Sequence, residues 1–207
     1  MEISIARALT ELKTLDARIQ SKINNTSFIA GVKKSSKKVN NVYTREEYSK
    51  EVKSNYDSII DLIERRKAIK GAIVKSNAET KVTIGGKEYT VAEAIERKNS
   101  IQLDKMLLQQ MESQYRSVIA QVDRNNEVVE NNLNNLLNSS VSSDKKDSID
   151  MSGFAEAYRE TNCYEVVNPL KLQEKIEKLR KEIDDFESEV DSVLTESNVI
   201  TKINIPE

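Results

Sequence analysis

Read at every seventh position from Ala94, this chain shows one unbroken apolar line: Ala94, Ile101, Leu108, Tyr115, Val122, Val129 and Leu136. Most residues between them are Gln, Asn, Ser, Glu and Arg, and neither Pro nor Gly interrupts the run. A heptad held this long predicts a single helix with a narrow seam, roughly 65 Å or more in length. A compact domain does not need such a helix. Other helices, or other copies of the chain, must therefore cover the seam.

A second seam has the cleaner register. Leu172, Ile176, Leu179, Ile183, Phe186, Val190 and Val193 alternate steps of four and three. This is the spacing of a coiled coil flanked by charge. The expected interaction seam comprises Ile101, Leu108, Tyr115, Val122, Val129 and Leu136 on the long helix, with Leu172, Ile176, Leu179, Ile183, Phe186 and Val190 on the last one.

Upstream, Ile5, Leu9, Leu12, Ile19 and Ile23 mark a first amphipathic helix over about Ile3 to Ile23, with Asp16 at the remaining step. Asn24-Asn25-Thr26 stops it, and 24–43 reads as a flexible connector carrying Lys33, Lys34, Lys37 and Lys38. That loop suits phosphate or anionic lipid, but a solvated loop explains it as well, since Tyr43 is its one nearby stacking aromatic. Thr44-x-x-Glu47 has the form of a capping box. It opens a second helix to about Lys75, with Tyr48, Val52, Tyr56, Ile59 and Ile63 on its apolar face and Ser76-Asn77 as the break.

Lys81 to Tyr89 predicts a tight hairpin. Val82, Ile84 and Tyr89 supply strand propensity, and Gly85-Gly86 suits the positive φ of a two-residue turn. A lone hairpin is marginal in water, so it should meet a further strand or a helix end. Gly85-Gly86-Lys87 lacks the spacer and the Ser/Thr of a phosphate loop. Thr90 and Glu93 form a second capping box at the start of the long helix. Its far end is rich in Asn, a poor helix former, and should fray unless a partner holds it. Residues 138–150 read as a polar linker, Met151 to Tyr158 as one or two helical turns, and Cys163 to Val167 as a short strand holding a half-buried cysteine. Asn168-Pro169 reads as a cap with proline at the first helical position. Ser197-Asn198 would close the last helix before a strand in 199–205, which Pro206 ends.

Three of these stretches carry a family resemblance. They are Ile5 to Ile19, then Ile73 to Thr80 with Gly86 to Lys98, and the terminal pattern of Asn168-Pro169, Leu172-Gln173, Asn198 and Thr201. On these residues the chain resembles the septicolysin-like proteins, small helical bacterial proteins. The resemblance implies long antiparallel helices with a hairpin between them and transfers no catalytic residue. The insertion from Asn138 to Tyr158 departs from the family's shorter connection. The family name implies membrane lysis.

Chemistry is thinly represented. The chain has no histidine, so the commonest general base near neutral pH and the commonest transition-metal ligand are both missing. Its single cysteine, Cys163, allows no internal disulfide, and the flanking Glu160 and Glu165 have no histidine to complete a zinc site or an activated thiol. The carboxylates Asp184, Asp185, Glu187, Glu189 and Asp191 read as a solvated helix face. The seven tyrosines are scattered. A net charge of −2 gives no general pull toward nucleic acid.

The fold expectation is therefore mainly α: an elongated antiparallel bundle or coiled coil of about four helices, with a small β-hairpin and one or two extra short strands. It is read as a single elongated domain over 1–207. No enzyme activity, cofactor or metal is expected. The leading functional reading is a non-catalytic structural protein acting through its seams, as a homo-oligomer or as part of a larger assembly such as a phage or prophage particle. A membrane-active, pore-forming protein is the alternative, although no apolar run reaches the ~20 residues of a membrane span. Met-Glu-Ile-Ser-Ile lacks the basic start of a secretory signal, so the expected location is cytoplasmic, or the virion.

Overall fold

The computed structural model describes residues 1–40, 42–141 and 151–205. The fold is mainly helical with small antiparallel sheets. In chain order the elements are β1 (Glu2–Ser4), α1 (Ile5–Asn25), β2 (Lys38–Val39), β3 (Tyr43–Thr44), α2 (Arg45–Glu79), β4 (Lys81–Ile84), β5 (Lys87–Thr90), α3 (Val91–Val141), α4 (Met151–Asn162), α5 (Leu172–Ile200) and β6 (Lys202–Asn204). These make two compact units, one of Met1–Asn99 with Asp185–Glu207 and one of Ser100–Asp184. Both α3 and α5 contribute residues to each unit.

In the first unit, β1 pairs antiparallel with β6 in the register Ile3↔Ile203. Both isoleucines are buried, in one core with Ile5, Ala8, Leu12, Leu15 and Ile19 of α1 and Ile69 and Ile73 of α2. Ile3 therefore lies in a strand and not at the start of the first helix. The helix begins at Ile5, where the Ser4 side chain accepts from the Arg7 amide. Along α1 and α2, Glu11 meets Arg65 at 3.1 Å, Asp16 pairs with Arg66, and Lys22 Nζ donates to Ser58 Oγ at 2.6 Å. From Glu11 to Lys22 the partner on α2 steps back from Arg65 to Ser58, so the two helices are antiparallel.

The capping box at Thr44 and Glu47 is present, with the Thr44 amide donating to Glu47 Oε2 at 2.8 Å. The expected break at Ser76-Asn77 is not. The helix continues to Glu79 because the Ser76 carbonyl still accepts from the Thr80 amide, and the Thr80 carbonyl in turn accepts from Val91 across the foot of the hairpin. The hairpin β4–β5 has the register Ile84↔Lys87, and its turn residues Gly85 and Gly86 take φ of 57° and 72°. It packs on the flank of α5, where Tyr89 meets the Phe186 ring edge-on at 5.8 Å. The Thr90–Glu93 capping box follows, with Glu93 Oε2 accepting from the Thr90 amide at 2.7 Å.

The 24–43 connector carries a small strand pairing. β2 and β3 form a miniature hairpin around Asn40, whose φ is 53°. Arg45 Nη2 donates to the carbonyls of Lys33, Lys34 and Ser36, holding the lysine-bearing loop in place.

In the second unit, α4 is longer than one or two turns and runs from Met151 to Asn162. Residues 163–168 have no regular structure, so the strand expected at Cys163 to Val167 is absent. The physical reason is a side-chain partner from α3: the Tyr164 amide donates to Asn126 Oδ1 at 2.7 Å and its carbonyl accepts from Asn126 Nδ2 at 3.0 Å. One amide side chain on α3 thus satisfies the backbone that a sheet partner would have served. Cys163 is exposed, not half-buried.

Pro169 is not the first helical residue of α5. Lys171 at φ 50° intervenes, and Asn168 Oδ1 reaches over it to accept from the Leu172 amide at 2.8 Å. At the other end α5 passes through Ser197 and Asn198 to Ile200, since Ser197 O still accepts from the Thr201 amide. The described residues thus hold five helices, in keeping with the expected mainly α fold of about four. Residues 142–150 of the expected linker, and Pro206, lie outside the described residues.

Candidate interaction faces

The two heptad stripes fold inward along much of their length. In the second unit α5 lies beside α3 in the opposite direction. Tyr115 Oη donates to Gln173 Oε1 at 3.1 Å, and Arg180 meets Glu112 Oε1 at 2.6 Å. Of the seam residues on α3, Ile101 and Val129 are buried, Leu108, Tyr115 and Val122 are half-buried, and Leu136 is exposed. On α5, Ile176, Ile183, Phe186 and Val190 are buried, while Leu172 and Leu179 are half-buried. Leu133 of α3, one turn beyond Val129, is fully buried.

The Asn-rich end of α3 has a partner in α4. Arg159 holds Glu130 in a two-pronged pair at 2.6 and 2.9 Å. The hydrogen bond from Arg159 holds the Glu130 carboxyl below the usual carboxylate range. That pair is half in solvent, so it orients α4 more than it stabilises it.

Apart from Leu136, the large apolar residues that α3 leaves uncovered lie off the heptad line. Leu103, Met106 and Leu107 are 68%, 66% and 54% exposed. Leu107 and Met111 join Leu170 and Leu179 in an open apolar groove of about 470 Å³, edged by Lys175, Lys178 and Glu182.

The first unit carries a larger apolar groove, of about 760 Å³, between α2 and the end of α1. Val52, Tyr56, Ile59, Ile60 and Ile63 form its floor, Ile23 and Phe28 its wall, and Lys53 and Asp57 its edge. The α2 stripe is legible in the sequence. The wall is not, because Phe28 sits in the connector and is placed there by a hydrogen bond from Tyr48 Oη to the neighbouring Ser27 carbonyl at 2.8 Å.

The residues weighed for chemistry do not converge. Glu189 accepts from the Gly85 amide, and Asp191 pairs with Lys98. Phe186 is sandwiched by Tyr89 and by the Arg97 guanidinium, 5.3 Å from its centroid. Glu160 and Glu165 are exposed beside Cys163. Among the described residues no three His, Cys, Asp or Glu side chains gather as a metal site requires. Among the same residues no helix is long and apolar enough to cross a membrane.

No family model, curated protein or solved structure matches the chain.

Proposed function

We propose that this chain is a non-catalytic helical assembly protein, joined through apolar helix faces to further copies of itself or to components of a larger particle. A phage or prophage particle is one such setting. The seam of α3 and α5 is read as a coiled-coil seam, and the faces left open beside it as the joining surfaces. The observation that carries this reading is the exposure of Leu103, Met106 and Leu107 beside the Leu170 groove. Each such side chain gains roughly 1.5–3 kcal/mol on full burial, so a partner that covers the group is strongly favoured. Light scattering on the purified chain at micromolar concentration is the test. A mass above one chain is expected. A monomer with no partner in its native particle overturns the reading.

A second reading, membrane activity, is favoured by one segment. Phe28 and Val32 are partly exposed and Ile29 is 86% exposed, directly before Lys33, Lys34, Lys37 and Lys38. Apolar side chains next to a lysine cluster suit an anionic bilayer surface. A septicolysin-like relationship, proposed on the segments quoted above, points the same way by its name. Dye release from anionic liposomes separates the two readings, and no release at high protein-to-lipid ratio removes the second.

A further inference from the structure

The stretch from Phe28 to Val32 contains no polar side chain, and the six residues after it hold four lysines. Ile29 is the most exposed large apolar side chain among the described residues, and Val32 is also exposed. A solvated loop accounts for the lysines. It does not account for an uncovered apolar run that the fold ties down on both sides.

The ties come from one face of α2. Before the run, Tyr48 Oη donates to the Ser27 carbonyl at 2.8 Å. After it, Arg45 Nη2 donates to the carbonyls of Lys33, Lys34 and Ser36, and Val39 beyond them is buried. Arg45, Tyr48, Val52 and Tyr56 recur at helical spacing, so the loop is fastened to the same face of α2 that floors the groove.

These bonds take up backbone carbonyls and leave the ammonium groups to other partners. None of Lys33, Lys34, Lys37 and Lys38 forms an ion pair among the described residues. Lys38 is within electrostatic reach of Glu47, whose carboxylate is committed to the Thr44 cap.

Charge and apolar exposure together select the partner. A nucleic-acid strand would neutralise the lysines but stacks on aromatic side chains, leaving Ile29 and Val32 in water. An anionic bilayer answers both features, with aliphatic groups entering the acyl boundary and lysines meeting the phosphates.

We propose that residues 28–38 are a peripheral docking site for an anionic phospholipid bilayer, in which Ile29 and Val32 enter the interface and Lys33, Lys34, Lys37 and Lys38 contact the headgroups. This rests on the membrane reading for its contact with an anionic surface, but it requires no lysis. Vesicle flotation and dye release can therefore fail separately.

The full chain is floated with vesicles of phosphatidylcholine containing phosphatidylserine, and with vesicles of phosphatidylcholine alone. It should float with the first, less so at high salt, and not with the second. Removing lysines as Lys33→Ala and Lys34→Ala should weaken binding about fivefold for each charge lost. Ile29→Ser should weaken it about tenfold. These exposed substitutions leave the core untouched, which circular dichroism checks.

Insertion is read separately. The chain has no tryptophan, so Ile29→Trp supplies a single probe, and Val199→Trp at the exposed end of α5 is its control. Phosphatidylserine vesicles should shift the emission of Ile29→Trp to the blue, and lipids brominated in their acyl chains should quench it, with neither effect in the control. Absence of flotation, flotation indifferent to the lysine and Ile29→Ser variants, or equal shifts in probe and control each overturn the proposal. So does a loop whose lysine variants change binding of a single-stranded RNA and not flotation. Flotation with no dye release supports the docking site while removing the lytic reading.

Discussion

The backbone amide of Gly85 donates to Glu189 Oε2 at 2.7 Å, tying the tip of the β4–β5 hairpin to the side of α5 across 104 residues of chain. The contact is close because residue 85 has no side chain. A Cβ built there would stand 3.2 Å from Asp185 Cβ, and φ is 57°. Gly85→Ala therefore combines left-handed backbone strain with a crowded approach to α5. It should destabilise the fold by about 1–2 kcal/mol, read as a lower urea midpoint at an unchanged slope. An unchanged midpoint would mean that the hairpin tip is not held against α5.

Gly71 is the opposite case. It lies inside α2, exposed, with nothing within 4 Å of an added Cβ. Its cost to the helix is the backbone freedom it surrenders on folding. Gly71→Ala should stabilise by roughly 0.5–1 kcal/mol, visible as a raised melting temperature. A loss of stability would show that something approaches this face of α2, a second copy included.

The helices and the central hairpin were legible in the sequence because their determinants are local. A capping box, a heptad and a Gly-Gly turn each declare themselves within a few residues. The features that went unread depend on residues far apart in the chain. Ile3 looks helical until Ile203 supplies a strand partner. The segment at Cys163 looks like a strand until Asn126, 38 residues earlier, satisfies its backbone. Nothing in the lysine loop's own composition announces that Arg45 gathers three of its carbonyls. The apolar stripe on α2 was readable, but Phe28, which turns it into a groove, comes from a connector with no periodicity to announce it.

The exposed thiol of Cys163 offers a direct check on that unread segment. The residue follows α4 in a stretch without regular structure and lies open to solvent. A thiol reagent should label one cysteine per chain in the native protein, at nearly the rate seen in denaturant. Protection that disappears only on unfolding would place Cys163 in a covered strand after all, or under a partner chain.

Acid should weaken the molecule at identifiable places. Glu47 and Glu93 close the capping boxes of α2 and α3. Each is held below the usual carboxylate range, first by the backbone amide of Thr44 or Thr90 and then by that residue's hydroxyl. Glu130 is lowered first by its hydrogen bond from Arg159. A carboxyl with a depressed folded value takes up its proton later in the folded chain than in the unfolded one. Its contribution is complete above the usual carboxylate range and fades as pH falls through the folded value. The urea midpoint should therefore hold steady near neutral pH and decline toward about pH 3. Glutamine can still accept the Thr90 amide's hydrogen bond but cannot titrate. Glu93→Gln should thus start lower at neutral pH, where the charge favours the positive end of the α3 dipole, and decline less steeply in acid. An acid decline equal to that of the unaltered chain would remove Glu93 from the groups responsible and leave the α2 cap and the α4 clamp to account for it.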